Sequence, residues 1–167
     1  NGGNVGIGNA NATDLTFTPT TGGILGTTTN DNVNAGRVGE YVSSTITSGS
    51  AVSLTTTAAA NITSISLPAG DWDVWINARF TGGATTTVTR LIASISTTSA
   101  TLDSTPGRIH ILFMNGQAPF ATTNVDVAAG SFRLSLSGTT TVYLVTQADF
   151  GVSTCSGYGI IQARRRR

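Results

Sequence analysis

PAGDWDVWINARF, residues 68–80, is the stretch whose reading decides the fold. In an extended chain successive side chains point to opposite faces. Trp72, Val74, Ile76, Ala78 and Phe80 then share one face and form a core stripe, while Asp71, Asp73, Trp75, Asn77 and Arg79 share the other. The alternation predicts a half-buried strand over Asp71–Phe80, with Asp71 in the preceding turn. One residue resists it: a large tryptophan, Trp75, stands in the middle of the polar side.

The same pattern recurs from Gly39 onward. Short runs rich in β-branched and aromatic residues are divided by Gly, Pro, Asn and Asp, which predicts strands at Glu40–Ile46, Ala51–Thr56, Ile62–Leu67, Asp71–Phe80, Thr86–Ser96, Arg108–Asn115, Asn124–Val127, Ser131–Ser137, Thr140–Phe150 and Ser156–Arg164. Turn signals separate them: LPAGD, TGGA, TPGR, MNGQ, AAGS and LSGTT. No window carries a capped stripe of period 3.6, so the class is all-β, an antiparallel sandwich or barrel.

Residues 1–37 differ. Gly, Asn and Thr dominate there and large apolar residues are few, too little to bury a core alone. The expected division is a shaft or neck segment over 1–37 and a head domain over 38–167. The chain starts at Asn1 rather than methionine, which reads as a cut from a longer polypeptide.

Composition narrows function. Of 167 residues only 10% are charged, and serine and threonine make up more than a quarter. Lysine is absent. The formal net charge is +1, but Arg164–Arg167 hold four of the nine basic residues, so the body carries 5 − 8 = −3 and shows no nucleic-acid footprint. No apolar run approaches the roughly 18 residues that cross a bilayer as a helix. A lone Cys155 staples nothing.

Several strands are apolar on both faces. In RIHILFM, Ile109, Ile111 and Phe113 oppose His110, Leu112 and Met114; Val142 and Leu144 oppose Tyr143 and Val145; Leu91, Ala93 and Ile95 oppose Val88 and Ile92. A solvated antiparallel sandwich shows one polar face per strand. The expected cover is another copy of the chain, with His110, Leu112, Met114, Tyr143 and Val145 at the subunit interface.

GRVGEYVSSTI, ITSISLPAGDWDV, RLSLSGTTTVYLVTQADF and the terminal GYGIIQARR resemble, in order and spacing, a C-terminal module of tailed-phage fibre proteins; the likeness covers roughly residues 30–167. GGNVGIG is similar to phrases in fibre shafts. More distantly the chain resembles trimeric jelly rolls of the complement and tumour-necrosis-factor type. The resemblance implies a jelly-roll-like homotrimer fed by a shaft, joined to the rest of a tail or head fibre through its N-terminus and exposed on the virion. It implies attachment to the host surface, often to polysaccharide, and supplies no catalytic residues or cofactor.

Among the residues themselves, Trp75 with Asp73, Asn77 and Arg79 offers a sugar-binding combination: an aromatic face for C–H groups and polar groups for hydroxyls. The competing reading seals Trp75 in a subunit interface. No G-x-S-x-G motif accompanies the single histidine, so no hydrolase triad is indicated. Asp71 and Asp73, about 7 Å apart at strand rise, are the only paired carboxylates suggesting a glycosidase. Asp103, Asp126 and Asp149 are candidates for a metal on a trimer axis only in that they exist; solvated turn carboxylates are the favoured reading, so no metal and no cofactor are expected. Arg164–Arg167 read as a solvated tail, or as guanidinium groups for phosphate or acidic sugar. The expected function is adhesion; the alternatives are a trimerisation cap or capsid-fibre tip without a ligand, and a capsule-degrading enzyme.

Overall fold

A computed structural model describes residues 28–114 and 124–167. The shaft expected over 1–37 falls outside the described residues as far as 27. One compact unit runs from Asn32 to Arg167, so residues 32–37, assigned above to the neck, belong with the head. Asn32 is tied in by its side chain, which donates to Tyr41 O at 2.6 Å and accepts from Tyr41 N–H at 3.0 Å.

The described residues form nine strands: β1 Tyr41–Ile46, β2 Val52–Leu54, β3 Ala60–Leu67, β4 Gly70–Gly82, β5 Thr87–Ser96, β6 Ile109–Phe113, β7 Val125–Leu136, β8 Thr140–Gly151 and β9 Cys155–Arg165. The described residues contain no α-helix, only a 3-10 turn at Ser48–Ser50. All pairings are antiparallel. One sheet has the order β1-β9-β4-β7, with β2 continuing β1's edge along β9; the other has the order β3-β8-β5-β6. The chain changes sheet at almost every connection from β2 onward, staying within one only between β5 and β6. This is the winding of a jelly roll. The protein is an all-β, two-sheet sandwich.

The core stripe is where the alternation put it. Trp72, Val74, Ile76, Ala78 and Phe80 are buried and meet Leu91, Ile95, Val142 and Leu144 of the facing sheet. Burying each large one contributes roughly 1.5–3 kcal/mol. The indole N–H of Trp72 donates to Pro68 O at 3.0 Å, so its polar atom is not stranded.

Three expectations change. The two strands expected at Asn124–Val127 and Ser131–Ser137 are one strand, β7, because AAGS forms a bulge rather than a turn. Val74 and Ile76 are two apart on β4, but their partners Phe132 and Ala129 are three apart on β7. A glycine inside a strand often marks this irregularity. A second bulge separates Val88 from Arg90 on β5 and turns Val88 inward with Leu91. Asp71, read as a turn residue, lies in β4 with its side chain nearly buried.

Several of the second-face apolar residues are already covered within the single chain. Val88 joins the core through its bulge. Leu112 and Met114 pack against the same core. Val145 points to the outer side of the four-stranded sheet yet is fully buried within the single chain. Its register partners are Ser94 and Asn61. Ser94 exchanges hydrogen bonds with the Asp103 backbone, and Asn61 binds Ser99 and Ala100. The connection between β5 and β6 therefore folds across Val145. The exposed apolar residues of β6 are Ile111 (40%) and Phe113 (73%), on the face opposite the one expected at the subunit interface.

Candidate functional site

The outer face of the five-stranded sheet is built in rows fixed by register. Arg79 stands between Asp126 on β7 and Tyr158 on β9; Asn77 between Ala128 and Ile160; Trp75 beside Gln162; Asp73 between Arg133 and Arg164. The β1 residues Thr45, Ser43 and Tyr41 extend the last three rows. Asp73, Trp75, Asn77 and Arg79, singled out from the sequence, are thus one column of an open face. Trp75 is half-buried, with its ring 6.3 Å from that of Tyr41 and tilted by 43°. Tyr41 Oη donates to Gln162 Oε1 at 2.5 Å. This aromatic–amide patch accounts for the tryptophan on a polar side: Trp75 lies beside Tyr41 of β1, across the sheet from the core.

Beside Trp75 the face sinks into an open depression of about 350 Å³, lined by Thr45, Ser48, Asn77, Arg79, Asp126 and Tyr158 among others. Gly159 forms part of its lining. Its φ is +151°, and a Cβ there would stand 2.1 Å from Asn77 O, so only glycine lets β9 approach β4 this closely. The Arg79 guanidinium grips Asp126 side-on, Nε to Oδ1 at 2.6 Å and Nη2 to Oδ2 at 2.5 Å. The hydrogen bonds that Arg79 donates to Asp126, then the Asp126 charge, then Tyr158 raise the Arg79 pKa above its ordinary value. The hydrogen bond from Arg79 and its charge hold the Asp126 carboxyl below its usual range against desolvation. Such an exposed pair organises the surface more than it stabilises the fold. Tyr158, Tyr41 and Gln162 were missed as candidates, and Asp126 was considered only for a metal, because their place beside β4 depends on strand order.

At the other end of the face the arginine run divides by strand alternation. Arg165 turns inward: its Nε donates to Glu40 Oε2 at 2.8 Å and Nη1 to Ala69 O at 2.9 Å. Arg164 is exposed, while Arg166 and Arg167 reach Asp73 and Asp71. The solvated-tail reading fails for Arg165, which is as buried as a core residue. Asp71 is held below the ordinary aspartate value by its hydrogen bonds to Arg133, against desolvation, with help from the charges of Arg133, Arg167 and Arg166.

The remaining candidates divide as follows. His110 is exposed on β6, and Tyr143 is half-buried on the outer side of β8. Asp103, Asp126 and Asp149 each pair with an arginine: Arg108, Arg79 and Arg90 respectively. Among the described residues no cluster of three or more His, Cys, Asp or Glu is arranged for a metal. Cys155 is buried, and desolvation pushes its thiol up to about 11, so it stays protonated and unreactive at neutral pH.

No protein-family model matches the chain, and no curated protein matches it in sequence. Among solved structures it is similar to the VP2 subviral particle of infectious bursal disease virus, with TM-score 0.43 and 10% identity over 76% of this chain and 32% of that one. It is also similar to the structure of the Gx strain of that virus, with TM-score 0.36 and 14% identity over 75% and 30% respectively. The chain spans about a third of the length of these structures.

Proposed function

We propose that the chain is the distal, virion-exposed module of a bacteriophage fibre and attaches the particle to polysaccharide on the host surface. It acts as a homotrimer joined to the rest of the fibre through its N-terminal segment. The observation that carries the binding role is the outer face of the five-stranded sheet. Trp75 and Tyr41 present aromatic surface beside the Gln162 and Asn77 amides, and the patch runs into the depression at Arg79, Asp126 and Tyr158. Aromatic faces pack on sugar C–H groups, and amides bond hydroxyls in both directions. An open trough suits a segment of a polymer better than a small molecule enclosed on all sides. The phage-fibre resemblance supplies the setting.

A structural cap without a ligand is the second reading, favoured by Phe113 and Ile111, whose exposure on β6 offers contact area to a neighbouring subunit. A glycan array and an adsorption assay on host cells, run with the purified chain and with Trp75→Ala, separate the two. Adhesion predicts binding by the parent chain and loss in Trp75→Ala at unchanged oligomeric mass. Absence of any glycan or cell binding by the parent chain sinks the adhesin reading, and a mass of 17 kDa at micromolar concentration sinks the trimer.

A further inference from the structure

The end of the outer face away from the depression holds more guanidinium than carboxylate. Arg133 and Arg164 flank Asp73 in register, and Arg166 and Arg167 approach from beyond β9. Against these four arginines stand two aspartates. The Asp71 carboxylate is nearly enclosed, at 8% exposure, and takes two of the four: Arg133 Nε to Oδ1 at 2.7 Å and Nη2 to Oδ2 at 2.9 Å, and Arg167 Nε 3.0 Å from Oδ2. Arg166 is anchored through its backbone N–H, which donates to Asp71 O at 2.8 Å. Its Nη1 lies 3.5 Å from Asp73 Oδ1, too long for a charge-assisted bond at full strength. The three side chains remain half to three-quarters exposed and, with Asp71, line a hollow of about 300 Å³.

This arrangement preorganises cations without neutralising them. Asp71 fixes two guanidinium groups, and the local excess is two positive charges. Planar guanidinium donors match the oxygens of carboxylate and phosphate groups. We propose that this hollow is an oxyanion site, and that it takes the carboxylate or phosphate of an acidic sugar unit in the polysaccharide held by the Trp75–Tyr41 patch. The carrier rests on the carbohydrate reading above; the anion site rests on the arginine geometry. Strand rise places Asp71 about 20 Å from Asn77, so one glycan of several units reaches both.

Calorimetric titration of the full chain tests this, with inorganic phosphate and oligogalacturonate as probes at low salt and again at 0.3 M NaCl. The variants are Arg133→Gln, Arg166→Gln with Arg167→Gln, and Trp75→Ala, each checked for folding by circular dichroism. The double change at the chain end removes charge without touching a strand. The parent chain should bind both probes, less tightly in salt. Either arginine variant should weaken both by about tenfold, while Trp75→Ala should weaken the oligosaccharide only. Phosphate binding without any oligosaccharide binding upholds the anion site and removes its glycan carrier. Failure of both probes to bind, or equal binding by the arginine variants, overturns the anion site. Oligosaccharide bound undiminished by the arginine variants and lost in Trp75→Ala leaves the carbohydrate reading standing alone.

Discussion

The guanidinium carbon of Arg165 sits 4.3 Å from the centre of the Trp72 ring. Arg165 therefore closes one end of the core, stacked on the largest core residue, with its charge met by Glu40 and Ala69 O. Gly70 makes this possible: a Cβ there would stand 2.0 Å from Arg165 Nη1. The main chain repeats the tie, Arg165 N–H to Glu40 O at 2.9 Å and Gly39 N–H to Arg165 O at 3.0 Å.

Breaking this buried pair from one side leaves an uncompensated charge. Glu40→Gln should lower stability by about 3 kcal/mol in urea unfolding. Replacing both partners by apolar residues, Glu40→Leu with Arg165→Met, should recover much of that loss. Equal losses for the single and double variants would show that packing on Trp72, not charge pairing, sets the stability.

The same pair predicts an acid limb. Burial pushes the Glu40 carboxyl up, but hydrogen bonds from Arg165 and the Gly36 N–H, with the Arg165 charge, outweigh it and hold the carboxyl below its ordinary value of 4.5. A depressed folded-state pKa gives stability that is fully present above the unfolded value and is lost as the pH falls through the folded one. Unfolding midpoints should stay level from pH 7 to about 5 and fall below that. In Glu40→Gln the fall should be shallower, since the remaining slope comes from Asp71, Asp103 and Asp126, also held low. An identical slope in both proteins would remove Glu40 from the account.

Gly159→Ala should be costly out of proportion to one methyl group, because the new Cβ meets main chain at Asn77 and Ala78 rather than a side chain able to move. A loss of about 3 kcal/mol or more is expected, read as a lower midpoint in chemical unfolding. A loss under about 1 kcal/mol would mean that β9 and β4 separate readily here.

Thr146 carries a buried hydroxyl with no hydrogen-bond partner among the described residues. Thr146→Val keeps the shape and removes the stranded oxygen, so thermal unfolding should move upward, by about 1 kcal/mol of stability. A downward shift would reveal a partner for the hydroxyl.

What the sequence determined by itself is the part of the fold that is local. Side-chain alternation is a property of one extended strand, so the stripe from Trp72 to Phe80, the open column from Asp73 to Arg79 and eight of the nine described strands were legible one segment at a time. What only the tertiary structure decided is what depends on a neighbouring strand. The bulges at β5 and β7 are mismatches between two strands, and they turned Val88 inward and fused two expected strands into one. The cover over Val145 comes from a connection that folds back across the sheet. Arg133 meets Asp71 across 62 residues of chain, and Arg165 leaves the run of arginines for the core. Register is a relation between strands distant in sequence, set by their joint packing, so no single stretch contains it.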